Sequence, residues 1–144
     1  MKAVRAVWPQ EKPIFVRVSS VDWVEGGWIV EDTVQLAKIL KELNVDLIDC
    51  SSGGNSTLQK ITDGPGYQVP FAEKVKKSVG NGLAVAAVGK ITEAKQANEV
   101  ITEEKADFIF MARELLRNPN FPLTAAHELG VEVDWPLQYE RARP

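Results

Sequence analysis

Two segments in the second half of the chain have the residue types to hold a phosphate. Residues 83–92 (Leu-Ala-Val-Ala-Ala-Val-Gly-Lys-Ile-Thr) run from an apolar stretch into Gly89 and Lys90. Residues 106–119 run in the same way into Ala112 and Arg113, ahead of Glu-Leu-Leu-Arg and the helix-breaking pair Asn118 and Pro119. Each reads as a buried strand that delivers a glycine or an arginine to the start of a helix. A glycine there lets the backbone approach an anion, and a guanidinium beside helix-end amides makes charge-assisted bonds to phosphate oxygens. Spacing alone leaves a second reading open, a tight turn followed by a surface ion pair. A further cation, Arg17, stands in the otherwise apolar run from Pro13 to Val18, where burial is costly without an anionic or carbonyl-rich partner. That partner is either a ligand or a carboxylate across the sheet, Asp46 or Asp49.

The elements that must position these groups follow from hydrophobic periodicity. Residues 2–8 read as a helix end, stopped by Pro9, and 13–18 as a strand. From Val30 to Leu43 apolar residues recur at helical spacing, with Glu31 and Asp32 at the front suiting the helix dipole. Residues 45–50 form the next strand. A loop from Ser51 to Gln68 follows, and a loop of that length in a compact domain usually carries function. Pro70 suits the first turn of a helix reaching about Ser78. A strand at 83–88, a helix at 92–103, a strand at 106–111, a short helix at 114–116 and a last helix at 122–129 complete the pattern. The order β-α-β-α-β-α-β-α with near-continuous apolar strands predicts a parallel sheet covered by helices. Four units suit a small doubly wound sheet or half of an eight-stranded barrel, and the period does not choose between them. A weak internal echo relates Val45-Asp-Leu-Ile-Asp to Ala106-Asp-Phe-Ile-Phe.

The chain has 144 residues, 44% of them hydrophobic and 26% charged, which suits one soluble domain with a real core. A net charge of −3 without any basic stripe gives no reason to expect nucleic acid. No apolar run approaches the roughly 20 residues that cross a bilayer, so no membrane partner is expected. The start lacks the apolar stretch of a secretory leader, which makes a cytoplasmic location the expectation. The single Cys50 excludes an internal disulfide, and with no base or cation nearby in sequence it reads as a plain buried thiol. No metal site is expected.

Six stretches resemble the Old Yellow Enzyme family: residues 15–20 (Phe-Val-Arg-Val-Ser-Ser), 45–54 (Val-Asp-Leu-Ile-Asp-Cys-Ser-Ser-Gly-Gly), 64–72, 87–92, 112–119 and the closing 138–141 (Gln-Tyr-Glu-Arg). The likeness is greatest to its bacterial and fungal NADPH dehydrogenases with short C-termini. The resemblance implies an FMN-dependent NAD(P)H oxidoreductase, an ene-reductase, built on a (β/α)8 barrel. It begins in the helix before the fifth strand. It therefore implies that residues 1–144 are the C-terminal half of such a barrel, an α/β half-barrel of four parallel β-α units, with the N-terminal half absent. The family's substrate-anchoring histidine pair and tyrosine proton donor have no counterpart, so no catalytic residue is assigned. His127 lies among Ala125, Ala126 and Leu129 and is expected to pack or face solvent.

The resemblance further implies that the FMN phosphate rests on Gly89, Lys90, Ala112 and Arg113, although lysine is not usual at the position of Lys90. Arg17 would lie at the pyrimidine edge of the flavin. Ser52, Gly53 and Gln68, with Ser51, Gly54 and Tyr67 nearby, would line the ring; read locally, residues 51–54 serve equally as a flexible turn. Tyr139 and Arg141 would reach the substrate site of a neighbouring subunit. NAD(P)H is the implied co-substrate and an activated alkene the implied substrate. The implied partner is a second copy or the missing half-barrel. Strands apolar on both faces, with helices over one of them, lead to the expectation that the chain alone self-associates.

Overall fold

The structure, a computed structural model, describes residues 1–143. Helix α1 (Lys2–Val7) precedes strand β1 (Phe15–Ser19), followed by α2 (Val30–Glu42), β2 (Leu47–Ser51), α3 (Val69–Val79), β3 (Ala84–Val88), α4 (Ala94–Thr102), β4 (Phe108–Phe110), α5 (Arg113–Arg117) and α6 (Phe121–Glu128). A 3-10 turn at Glu140–Ala142 ends the described chain. Local chemistry accounts for several boundaries. The Asp32 carboxylate accepts the Ile29 amide at 3.1 Å and caps α2, Asn44 at φ 53° turns the chain out of it, and Pro70 stands in the first turn of α3.

The four strands are parallel and lie in the order β1-β2-β3-β4. That order decides between the two architectures the periodicity left open. A doubly wound sheet reverses its strand order at a switch point and carries helices on both faces. Here the order never reverses. Val34, Ala37 and Leu40 of α2, Val69, Ala72, Val75 and Val79 of α3 and Val100 of α4 share one core with Ile48, Cys50, Val85 and Ala87. The helices thus cover one face of a singly wound sheet, as in a sector of a barrel.

The strand entries repeat one device, which gives the internal echo a physical meaning. Asp46 donates its amide to the Ile14 carbonyl at 3.0 Å while its carboxylate accepts the Ile14 amide at 2.7 Å. Asp107 does the same to Val85, at 2.7 Å and 2.9 Å. In each case the side chain substitutes for a ladder bond where a strand begins, and β4 is accordingly shorter than the expected 106–111.

The opposite face carries Phe15, Arg17, Leu47, Asp49, Ala84, Ala86, Phe108 and Phe110 by alternation. It departs from the uniformly apolar, exposed wall expected. Leu47 and Ala86 are buried, the pair Arg17 and Asp49 puts charge at its middle, and apolar exposure falls on Phe15 (58%) and Phe108 (51%) at the edge strands. Among the described residues no helix is long and apolar enough to cross a membrane.

Candidate functional site

A cavity of about 400 Å³ opens at the C-terminal ends of the strands. Eight of the residues singled out from sequence line it together: Arg17, Ser51, Tyr67, Gln68, Gly89, Lys90, Ala112 and Arg113. The turn after β3 supplies Gly89 through Thr92, and the end of β4 with α5 supplies Phe110 through Glu114 and Arg117. Among the described residues, the backbone amides of Gly89, Lys90 and Ala112 donate no hydrogen bond, and the Arg113 guanidinium has neither a hydrogen-bond nor an ion-pair partner. Unpaired amides beside an unpaired guanidinium match the donor set a phosphate monoester requires. α5 has only five residues, so an anion at this point would meet the loop amides and the side chain rather than a helix dipole.

The Lys90 ammonium is not free in the same way, being paired with the Asp63 carboxylate of the long loop, and its backbone sits at φ 50°. Gly89 also has a packing role. At φ 124°, a Cβ on it would stand 2.7 Å from Gln68 Nε2 and 3.1 Å from Tyr67 Cε1. The missing side chain therefore makes room for Gln68 and Tyr67, which brings the long loop down onto the β3 turn.

Gln68 is the keystone of that contact. Buried to 2% exposure, it accepts from Ser52 Oγ at 2.6 Å through Oε1 and donates to the Val88 carbonyl at 2.9 Å through Nε2. Ser52 thus stands behind Gln68 rather than on the cavity wall. Gly53 does not line the cavity; at φ 70° its amide donates to Val21 O, and a Cβ would meet Ile61 Cδ1 at 2.8 Å. Trp23 ties the first two loops together. It packs edge-on against Phe71 at 5.6 Å and tilted against Tyr67 at 6.5 Å, at a φ of 59° that costs a bulky residue energy.

For Arg17 the structure shows the carboxylate partner, and the side chain also borders the cavity. Its Nε donates to Asp49 Oδ2 across the β1–β2 register, yet the side chain stays 58% exposed on the cavity. Asp49 is 2% exposed, and its Oδ1 has no partner. Burial raises the Asp49 pKa above the ordinary aspartate value, against the lowering pull of Arg17. Cys50 is the buried thiol expected, pushed up to about 12 chiefly by burial.

Sequence reading missed Thr92 and Arg117 on the cavity wall. Arg117 could have been found, since it follows Arg113 by one helical turn; it pairs with Glu114 at 3.0 Å. Tyr139 and Arg141 do not line the cavity; they belong to the closing turn. His127 is exposed on α6 and borders a small separate hollow with Trp135.

A model of the NADH:flavin oxidoreductase / NADH oxidase family matches residues 1–132. A protein named NADPH dehydrogenase from Geobacillus thermodenitrificans is 48% identical over 139 residues, covering 96% of this chain and 39% of that protein. Another of that name from Bacillus cytotoxicus is 50% identical over 140 residues, covering 97% and 39%. The chain therefore spans about two fifths of the length of these relatives, and matches their C-terminal part. Among solved structures, DHODH from Eimeria tenella in complex with ferulenol superposes with a TM-score of 0.55 at 16% identity, over 81% of this chain and 35% of that one. With the sequential parallel sheet, this likeness makes the fold a partial (β/α)8 barrel.

Proposed function

The chain belongs to the NADH:flavin oxidoreductase / NADH oxidase family, and from that premise we propose that it forms the FMN-phosphate-binding part of an NAD(P)H oxidoreductase of the Old Yellow Enzyme type. The observation that carries this reading is the unpaired Arg113 guanidinium beside the free amides of Gly89, Lys90 and Ala112. Arg113 would hold the phosphate through the planar fork of its guanidinium, with the loop amides as further donors. Gln68, held by Ser52 and the Val88 carbonyl, lines the cavity and keeps one amide N–H outside those two bonds. Arg17, if it lies at the flavin's pyrimidine edge as the family resemblance implies, would favour the negative charge that reduction adds there. FMN, when bound, supplies hydride transfer from NAD(P)H to an activated alkene.

The activity of the whole protein needs groups beyond this chain, because the proton donor and substrate-anchoring residues of the family have no match in it. Phe15 and Phe108, half-exposed on the two edge strands, suit the remaining strands of the barrel or a second copy of the chain as cover. Tyr139 and Arg141, on a projecting turn, suit a neighbouring subunit's substrate site.

The test compares FMN with riboflavin. A charge-assisted phosphate contact is worth about 1.5–3 kcal/mol, so Arg113→Ala weakens FMN binding roughly tenfold or more. Riboflavin, lacking the phosphate, binds the variant and the parent alike. Equal losses for both ligands would overturn the phosphate assignment. Sedimentation equilibrium over a concentration series tests the edge-strand reading: a monomer at every concentration, with cooperative unfolding, counts against it.

A further inference from the structure

Asp49 is expensive where it stands. It is 2% exposed, its Oδ1 has no partner, and its neighbour on β3 in the register is Ala86, which has no side-chain donor to offer. A buried carboxylate with a single ionic partner is weak support for a fold, since a packed apolar residue of similar volume would serve stability as well or better. What the carboxylate does accomplish is to hold Arg17. The two residues stand directly opposite each other in the β1–β2 register, and the bond runs from Arg17 Nε to Asp49 Oδ2. Among the described residues neither Nη nitrogen of Arg17 has a hydrogen bond, and the side chain borders the cavity. With Nε tied down, the long side chain loses most of its freedom while its two outer nitrogens stay available.

We infer that Asp49 is a positioning residue that sets flavin affinity and reduction potential through Arg17, by fixing the guanidinium from behind so that its Nη groups serve the ligand. The inference rests on the flavin reading of Arg17. It goes beyond that reading in assigning a task to a residue that does not line the cavity.

A double-mutant cycle tests it in the full flavin-loaded protein: the parent, Arg17→Ala, Asp49→Asn and the double variant, each measured for FMN and riboflavin affinity and for midpoint potential. Contacting residues couple strongly, so Asp49→Asn weakens both ligands by the same factor, about threefold or more, and shifts the potential. Both effects vanish once Arg17 is alanine. Effects that persist undiminished in the Arg17→Ala background overturn the inference. So does a lowered melting temperature with affinity and potential unchanged, which is the mark of a structural role alone. If Arg17→Ala itself leaves binding and potential untouched, the flavin reading of Arg17 fails and the inference fails with it, a result distinct from the other two. Nitrogen-detected NMR of the unsubstituted, flavin-free chain covers the case of a variant that does not fold. The Arg17 Nε–H is then slow to exchange, and remains so when FMN is added; its loss of protection on FMN addition would show the pair broken by ligand and overturn the positioning role.

Discussion

The two ends of the sheet each carry a cavity, and the larger one is not the one that holds the unpaired arginine. The cavity at the strand entries measures about 600 Å³, against about 400 Å³ for the one at the strand exits. Size would favour the first. Charge separates them the other way. At the entry end Lys76 pairs with Asp107, Lys77 with Glu73 and Glu103 with Lys105, and Asp107 also accepts the Val85 amide. Those charges are spent on closing the fold. At the exit end Arg17, Lys90 and Arg117 have carboxylate partners, but among the described residues Arg113 has none. The unpaired guanidinium, not volume, is what sets the exit end apart, and it is the group an anion would pair with.

The sharpest way to break that contrast is to remove one cation at each end. Arg113→Ala should cost FMN binding about tenfold or more, while Lys76→Ala leaves FMN affinity unchanged and moves stability by no more than ~1 kcal/mol. Titration with FMN and thermal melts of both variants decide it, and a Lys76→Ala protein with weakened FMN binding would erase the distinction. Next in size is Gly89→Ala. The new Cβ meets Gln68 at a strained φ, so the unfolding free energy falls by about 1–3 kcal/mol and the binding end loosens with it; denaturant melts measure the loss. Asp107→Ala is its counterpart at the entry end. It leaves the Val85 amide without its acceptor, costs about 1–2 kcal/mol of stability, and leaves FMN affinity alone.

Smaller effects sharpen the picture at the exit end. Because the folded-state pKa of Asp49 is raised by burial, the folded chain holds this proton more tightly than the unfolded chain does. Between the ordinary aspartate value and the raised one, stability therefore falls as pH rises, and it is regained on acidification through that window. The pH–stability profile of Asp49→Asn should lack this slope, and that of Arg17→Ala should show it steepened. Smallest of all, Lys90→Met removes a half-exposed ion pair with Asp63 and should cost at most ~1 kcal/mol, less at high salt. A larger loss of FMN than of riboflavin affinity in this variant would mean that Lys90 leaves Asp63 for the phosphate.

Much of the molecule was legible one residue at a time. The alternation of apolar strands and amphipathic helices, the glycine after β3 and the arginine after β4 are local patterns, and the structure keeps every predicted strand and helix within a few residues. Hydrophobic periodicity and turn chemistry act over a handful of neighbours, so a sequence displays them directly. The motif likeness carried further, to the family. What only the tertiary structure decided involves groups far apart along the chain. Arg17 meets Asp49 at a separation of 32 residues, Lys90 meets Asp63 at 27, and Gln68 reaches the Val88 carbonyl at 20. Those pairings decide that Gly89 yields its space to Gln68, that Arg17 is held by Asp49 and that Lys90 is held by Asp63. They depend on strand order and register, which set distant side chains face to face and which no local pattern encodes.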